Sequence, residues 1–244
     1  QLPLGVVGIA IGSVLLPDLS RRLKTQDGDG ARNAFSRAGE LSLALTVPAA
    51  VALVVIPLPM VTALFQHGAT TADDSRAIAL AVAIYGLGVP AFVLQKVLQP
   101  LFFAREDTRT PFTYALWAMG VNAAVAIGLA PLIGWIACAL ATTSAGWFMV
   151  ARLLIGGRKL GDEARFDARF RSRLVKILAA AAVMGVALFI ATGVLDGVLV
   201  VPGWKYLALV ALVLFGLAVY GVTGQALGAF SVAEFRQQLA RRRR

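Results

Sequence analysis

A lone lysine within an apolar stretch is the residue of this sequence best placed to bind a charged ligand. The stretch runs from Tyr85 to Pro111, and Lys96 lies between Gln95 and Gln99 within it. A charged side chain inside a membrane is costly and usually faces a polar interior or a cavity. We therefore predict that Lys96, Gln95 and Gln99 bind an anionic substrate. The alternative is that the long side chain of Lys96 extends to the nearby membrane surface.

A second polar set is formed by Asn122 and Thr142, which lie in the middle of two consecutive apolar stretches. An amide and a hydroxyl that face each other across two helices can hydrogen-bond and so hold the helices together. Their oxygen atoms could also ligate a small cation. Both interpretations of Asn122 and Thr142 stay open at this point.

The sequence lacks the residue patterns of a catalytic or metal-binding site. We find no nucleophile beside a base, no cluster of metal ligands and no phosphate-binding loop, and Cys138 is the only cysteine. The acidic residues lie in loops or at span ends, with Glu40 and Asp196 nearest to the apolar stretches. We predict a carrier or a scaffold rather than an enzyme, with no cofactor and no metal. Coupling to sodium or to the membrane potential is an alternative.

The composition indicates a membrane protein. Hydrophobic residues make up 59% of the chain and charged residues 15%, and the mean hydropathy is +0.78. Soluble domains are about 45–50% apolar and about 25% charged. The net charge of +10 could suggest nucleic acid, but the basic residues lie in short loops between apolar stretches instead of on one soluble face. We therefore predict no nucleic-acid partner.

Apolar stretches of about 20 residues are long enough to cross a bilayer as helices. The sequence predicts an all-α polytopic membrane protein with about seven transmembrane helices. The first is partial, and we expect the sequence to begin inside it as the C-terminal part of a longer protein. The predicted spans are Leu2–Leu16, Leu41–Leu64, Ala77–Phe103, Phe112–Ala130, Leu132–Leu154, Leu174–Leu195 and Trp204–Leu227.

The basic residues predict which ends of the spans face the cytoplasm. They crowd the connection after the first span, the turn at Arg105 and Arg109, the connection from Arg152 to Lys176 and the C-terminal tail, whereas only Arg76 and Lys205 lie at the other ends. Because cytoplasmic loops are enriched in lysine and arginine, we predict that the C-terminus is cytoplasmic.

The connections carry local signals of their own. Asp27–Gly30 is rich in turn residues, and Ala31–Glu40 has helical character and is predicted to lie along the membrane interface. Thr71 or Thr70 is expected to cap the helix that follows. Leu129–Gly134 carries no charge and predicts a tight hairpin between two spans.

Three ordered stretches resemble the bacterial lipid II flippases of the MurJ/MviN family. The first is Leu2–Ala10 (LPLGVVGIA) followed by Leu15–Ser20 (LLPDLS), which resembles the eighth helix of that family. The second is Leu64–Ala69 (LFQHGA) with Thr71–Asp74 (TADD), and the third is Phe102–Pro111 (FFAREDTRTP).

The resemblance implies the fold of the multidrug, oligosaccharidyl-lipid and polysaccharide exporters, in which two six-helix lobes enclose a central cavity. Residues 1–155 would then be a partial C-terminal lobe with helices eight to twelve. Residues 156–173 would be a basic cytoplasmic connection, and residues 174–228 an extra helix pair that forms a hydrophobic groove leading to the cavity. Residues 229–244 would be a basic cytoplasmic tail.

The implied activity is translocation of the peptidoglycan precursor linked to undecaprenyl pyrophosphate across the bacterial plasma membrane by alternating access. The implied partners are this substrate, membrane lipids and cell-wall synthesis proteins. The alternatives are another polysaccharide-precursor or drug exporter of the same superfamily, or a membrane scaffold for cell-wall synthesis. Some members of the family are thought to bind sodium through an Asn, an Asp and a Thr. Asn122 and Thr142 match that set, but Ala126 stands where it has the Asp.

Overall fold

The protein is a bundle of eight α-helices, seen in a computed structural model that describes residues 10–66, 70–199 and 204–229. No strand occurs within those ranges, which confirms the predicted all-α class. In chain order the helices are α1 Ala10–Lys24, α2 Gly28–Val55, α3 Pro57–Phe65, α4 Ala72–Phe103, α5 Arg109–Ile133, α6 Ile136–Gly157, α7 Ala168–Leu199 and α8 Trp204–Ala226. Two short 3₁₀ turns, Arg158–Leu160 and Asp162–Ala164, join α6 to α7.

Six helices of the described residues are long and apolar enough to cross a membrane, namely α2 and α4 to α8. They correspond to the six full spans that the sequence predicts. The first part of the predicted span Leu2–Leu16 lies outside the described residues, and α1 contains the rest of it. The predicted count of about seven is therefore close to the observed one.

The predicted span Leu41–Leu64 consists of two helices, because the chain breaks at Ile56. This residue has φ −120° and ψ 40°, which ends α2 and begins α3. A proline disfavours the helical conformation of the residue before it and has no N–H to donate. Pro57 follows Ile56 directly and Pro59 lies two residues further on, so α3 restarts with Pro57 in its first turn.

The segment Ala31–Glu40 also differs from its prediction as an interface helix, because it forms the first turns of α2. The side chain of Asp27 caps this helix, and its Oδ1 accepts a hydrogen bond of 2.9 Å from the Gly30 N–H. Phe35 in this segment is fully buried. The apolar face of α2 therefore starts well before the membrane span that hydropathy indicates.

Two predicted turns are confirmed. Thr71 caps α4, and its hydroxyl and the Asp74 carboxylate exchange hydrogen bonds with the backbone of the opposite residue. The hairpin between α5 and α6 closes at Gly134, whose φ of +59° lies in the left-handed region that favours glycine. This tight turn makes α5 and α6 a closely packed antiparallel pair.

The packing order places α2 and α4 at the centre. Helix α4 packs between α2 and α6, while α7 packs on α2 and is followed by α8, which also contacts α3. Helix α5 packs almost entirely on α6, so much of its apolar surface, including Phe112 and Ile127, is exposed in this chain. The α7–α8 pair therefore packs on the α2 side of the bundle, and we call the side at α5 and the adjacent face of α4 the open side.

The basic connections gather at one end of the bundle, which we call the basic end. Arg105 after α4 donates to Glu163 Oε1 at 2.8 Å and to the Leu160 carbonyl at 3.2 Å, both in the connection between α6 and α7. The Asp167 N–H donates to the Ser36 hydroxyl in the first turns of α2. These contacts join connections that are far apart in sequence, as the charge distribution predicts.

Candidate functional site

An apolar groove lies between α7 and the helices α2 and α4. It has a volume of about 770 Å³ and extends along the middle of these helices. Its lining is apolar throughout and includes Leu43, Val47, Val54, Leu94, Leu178 and Phe189. Trp147 of α6 also lines it, and the indole N–H donates to the Leu87 carbonyl at 3.0 Å, which satisfies its hydrogen-bonding group.

The close contact between α7 and α2 forms one side of the groove. A Cβ added to Gly185 would lie 2.8 Å from Val51 Cγ1, which shows that the two helices nearly touch there. Helix α7 packs on α2 and α8 but leaves space towards α4 and α6, where the groove opens. An apolar cleft with no hydrogen-bonding demand is suited to a hydrocarbon chain.

Lys96 lies on the exposed face of α4, and in the described part of the chain it makes no hydrogen bond or ion pair. Gln99 lies one turn further along α4 and is half-buried. It lines a second, shallower pocket of about 520 Å³ at the basic end, together with Phe103, Arg109 and Phe112. Lys96 and Gln99 thus lie on the open side of the bundle. Arg109 lines the same pocket as Gln99, nearer the basic end.

Gln95 makes a hydrogen bond between two helices. Its Nε2 donates to the Gly146 carbonyl of α6 at 3.1 Å. Phe92, one turn earlier on α4, packs against Gly146 and Gly88, and a Cβ on Gly146 would lie 2.7 Å from its ring. Gln95 therefore belongs to the contact between α4 and α6, and substrate binding by Gln95 stays a prediction.

The structure brings Asn122 and Thr142 together across the α5–α6 pair. Asn122 Nδ2 donates to Thr142 Oγ1 at 3.4 Å, and the Thr142 hydroxyl donates to the Cys138 carbonyl at 2.9 Å. This geometry matches the helix-joining interpretation. Ala126, one turn after Asn122, offers no ligand atom, and the described residues hold no cluster of three or more His, Cys, Asp or Glu side chains.

The turn between α4 and α5 is held by its own polar side chains. Asp107 Oδ1 accepts a 2.9 Å hydrogen bond from the Thr110 N–H near the start of α5, and this bond lowers the pKa of the Asp107 carboxyl. Arg105 fixes the other side of the turn to the connection after α6. The backbone of Glu106 adopts φ +61°, an uncommon value for a residue other than glycine. These hydrogen bonds define the conformation of the turn.

Sequence reasoning missed a charged cluster at the basic end of α2 and α7. Glu40 is 7% exposed, and its Oε2 accepts hydrogen bonds from Arg169 at 3.0 Å and from Arg173 at 3.1 Å. A signal was present in the sequence: Glu40, Leu43 and Val47 share one helical face, so an acidic residue continues an apolar stripe. The arginine partners come from a segment about 130 residues away, which no local pattern reveals.

Known proteins resemble this chain over most of its length. The sequence profile described as "Lipid II flippase MurJ" matches residues 1–222. A "Probable lipid II flippase MurJ" of Rhizobium tropici is 38% identical over 100% of this chain and 46% of its own length. The protein of that name in Rhizobium meliloti strain 1021 is 38% identical over 99% of this chain and 45% of its own length. A "Lipid II flippase MurJ" of Burkholderia cenocepacia is 29% identical over 66% of this chain and 31% of its own length. The chain thus spans about half the length of the first two relatives.

Proposed function

The chain belongs to the lipid II flippase MurJ family, and on that premise we propose that the protein containing it carries lipid II across the bacterial plasma membrane. The transported molecule would be a peptidoglycan precursor on a polyprenyl pyrophosphate. The protein would work as a transporter and not as an enzyme, in the inner membrane, with its basic end and C-terminus in the cytoplasm. The excess of lysine and arginine at the basic end supports this orientation.

The observation that carries the proposal is the apolar groove between α2, α4 and α7. A flippase must shelter a long hydrocarbon tail while its polar head group crosses the bilayer. The groove lining offers only apolar side chains to such a tail, and its single indole N–H is already hydrogen-bonded. We assign the groove to the polyprenyl tail and residues 174–228 to the extra helix pair whose first helix, α7, forms one wall.

The polar head group would meet the open side of the bundle. Lys96 and Gln99 lie there, and Arg109 lines the pocket at the basic end of the same side. An ammonium and a guanidinium are suited to a pyrophosphate, which carries several negatively charged oxygen atoms. In the fold that the family resemblance implies, a second lobe would close this side into a cavity. Residues 1–155 would be part of the C-terminal lobe.

Alternating access would require the two lobes to rock about the bound substrate. The break at Ile56 supports such motion, because it divides one span into α2 and the short α3. No cofactor is part of the proposal. Asn122 and Thr142 remain candidates for a coupling cation, although their mutual hydrogen bond favours a role in holding α5 to α6.

The proposal is tested by filling the groove. Ala182 is an exposed residue of α7 that lines the groove, and Ala179, one turn earlier, is exposed but does not line it. We expect Ala182→Trp in the full-length protein to fail to rescue a bacterium depleted of its own flippase, because the indole occupies the space of the tail. Ala179→Trp is the matched control and should rescue growth.

Protein levels in the membrane are measured for both variants, and lipid II translocation is measured after reconstitution into vesicles. Wild-type translocation by Ala182→Trp would remove the groove from the pathway. Failure of the unaltered full-length gene to rescue growth or to translocate lipid II would contradict the proposed function itself.

A further inference from the structure

The short helix α3 is joined to α2 by a weak point in the backbone. Pro57 and Pro59 have no N–H to donate, so two carbonyls near the end of α2 lack their usual helical hydrogen bond. Ile56, between the two helices, adopts φ −120° and ψ 40°, outside the helical region. Helices bend at positions where the backbone hydrogen bonds are interrupted in this way. The joint at Ile56 therefore has the properties of a hinge.

The other end of α3 is bonded to α8. The last four carbonyls of a helix have no partner within it, and α3 ends at Phe65. The ammonium group of Lys205 on α8 donates to the carbonyl of Thr62, one of these four, at 3.1 Å, and to the carbonyl of Gln66 at 3.3 Å. The C-terminal end of a helix also carries a partial negative charge, which favours a cation. One lysine thus bonds two carbonyls and neutralises the end of α3.

Lys205 occupies a place that is unfavourable for a cation within its own helix. It is the second residue of α8, where the helix carries a partial positive charge. Among the described residues it forms no ion pair with a carboxylate. Its ammonium group lies 5.3 Å from the centre of the neighbouring Tyr206 ring, which leaves its hydrogen-bond donors to α3. The end of α3 is therefore the contact that accounts for a lysine at this position.

Helix α8 is also bonded to α2 on the other side of the hinge. Pro48 inside α2 leaves the Ala44 carbonyl without its helical hydrogen bond, and the hydroxyl of the buried Tyr220 donates to this carbonyl at 2.8 Å. Tyr220 and Lys205 are about 22 Å apart along α8 at 1.5 Å per residue. Helix α8 therefore spans the hinge, with one bond to α2 before it and one contact with α3 after it.

The hinge lies at the end of the apolar groove that is opposite to the basic end, which we call the distal end. Val54 and Val55 line the groove on α2, and they directly precede Ile56. Beyond Ile56, α3 packs on α4 and α8. The position of α3 therefore determines what borders the groove at its distal end.

We propose that α3 is a hinged segment at the distal end of the groove and that Lys205 is the latch that holds it to α8. When the ammonium group leaves the two carbonyls, α3 turns about Ile56 as an intact helix and changes the opening of the groove. A turn of about 20° moves the far end of this nine-residue helix by about 5 Å. Lys205 is thus a positioning residue. The proposal goes beyond lipid II transport and does not depend on it.

A purely local role of Lys205 makes a different prediction. If the lysine only completes the last turn of α3, loss of the ammonium group unravels that turn and leaves the rest of the helix in place. If the lysine is a latch, the helix stays folded and moves as a whole. The two roles are therefore separated by measuring a distance and the exchange of backbone amides in the same protein.

The distance is measured between spin labels in the purified full-length protein, reconstituted in lipid nanodiscs, by double electron–electron resonance. The labels are attached to Leu64→Cys on α3 and Leu45→Cys on α2, with Cys138 and any other cysteine replaced by serine. Both leucines are exposed and neither lines the groove. We expect one main distance when Lys205 is present. Lys205→Met keeps the length of the side chain and should raise the population of a second distance about tenfold, the change expected when hydrogen bonds to a charged group are lost.

Arg76→Met is the matched control. It removes the same charge from the same end of the bundle, but Arg76 is exposed and pairs with Asp73 of its own helix. It should keep the distance of the unaltered protein. Lys205→Gln retains a donor without the charge and covers a Lys205→Met protein that does not fold. Its second population should lie between those of the unaltered protein and Lys205→Met.

Amide exchange of residues 57–66 is followed by mass spectrometry and should stay slow in Lys205→Met, because α3 moves as an intact helix. An unchanged distance in Lys205→Met, an equal second population in Arg76→Met, or faster exchange of residues 57–66 without a second distance would overturn the proposal. No lipid II is present in the experiment, so its result is independent of the proposed transport function.

Discussion

At the scale of single residues, Lys96 is the candidate for substrate binding that substitution can test most directly. It lies seven residues before the end of α4 at Phe103, about 10 Å at 1.5 Å per residue. It is exposed on the open side, and in the described structure no carboxylate pairs with it. Snorkelling would explain its exposure, but Gln99 one turn nearer the basic end adds a second polar group to the same face.

The Lys96 charge is tested by exchanging it in the full-length protein. We expect Lys96→Ala to lower lipid II translocation in vesicles by about tenfold, which is the loss expected when a hydrogen bond to a charged group is removed. Lys96→Arg should retain more activity than Lys96→Gln, because the charge matters more than hydrogen-bonding capacity when the partner is an anion. Lys159→Ala, at an exposed position of the connection after α6, is the control for lost charge. Full translocation by both Lys96→Ala and Lys96→Gln would show that the lysine only extends to the membrane surface.

At the scale of helices, small residues decide how closely the bundle packs. Phe92 of α4 fits against Gly88 of its own helix and Gly146 of α6, and Gln95 donates to the carbonyl of the same Gly146. Gly185 likewise lets α7 approach α2 closely, because it lies directly against the Val51 side chain. Close backbone approach through small residues is the usual way in which membrane helices associate. Here it fixes α4 against α6 and sets the width of the groove.

The α4–α6 contact is tested by adding one methyl group. A Cβ at Gly146 would lie 2.7 Å from Phe92 Cε1, so we expect Gly146→Ala to destabilise the protein by about 1–3 kcal/mol, as overpacking does. The measurement is the thermal unfolding midpoint of the purified protein in detergent. Gly120→Ala on α5 is the control, since a Cβ there would meet no atom within 4 Å.

Adding Phe92→Leu to Gly146→Ala should recover part of the lost stability by making space for the methyl group. An unchanged midpoint for Gly146→Ala alone would contradict the packing. A fall of the same size for Gly120→Ala would show that the loss comes from another cause than the contact with Phe92.

At the scale of the whole molecule, the charges make the two ends of the bundle different. The basic end is held together by Arg105 with Glu163 and by Glu40 with its two arginines. At the other end, Lys205 of α8 donates to the Thr62 and Gln66 carbonyls at the end of α3, at 3.1 and 3.3 Å. Each end of the α7–α8 pair is therefore tied to the helices beside it, through α7 at the basic end and through α8 at the other.

The orientation is tested by labelling single cysteines in intact cells, with Cys138 replaced by serine. Asp73 has a side chain that is 90% exposed at the end opposite to the basic end, and Lys159 is exposed at the basic end. We expect Asp73→Cys to react with an impermeant thiol reagent from outside and Lys159→Cys to react only after the membrane is permeabilised. Reaction of Lys159→Cys in intact cells would reverse the proposed orientation.

The sequence by itself determined the fold class, the approximate number of membrane spans and the asymmetry of charge. These features depend on local properties: a run of apolar residues must pair its backbone groups within a helix in the membrane, and a capping residue such as Thr71 acts on the next three residues. The hairpin at Gly134 and the resemblance carried by Phe102–Pro111 were available for the same reason. Hydropathy continues unchanged across the break at Ile56, but Pro57 indicates the break, because a proline breaks or kinks a helix.

Only the tertiary structure decided which polar side chains face one another. Gln95 and Lys96 are neighbours in sequence, yet the former bonds to α6 and the latter is exposed, because successive residues of a helix point about 100° apart (3.6 residues per turn). The groove needs α2, α4 and α7 together, and the partners of Glu40 come from α7. These arrangements depend on how whole helices pack against one another. Helix packing is the sum of many small contributions from residues that are far apart in sequence, so no single stretch of the chain reveals it.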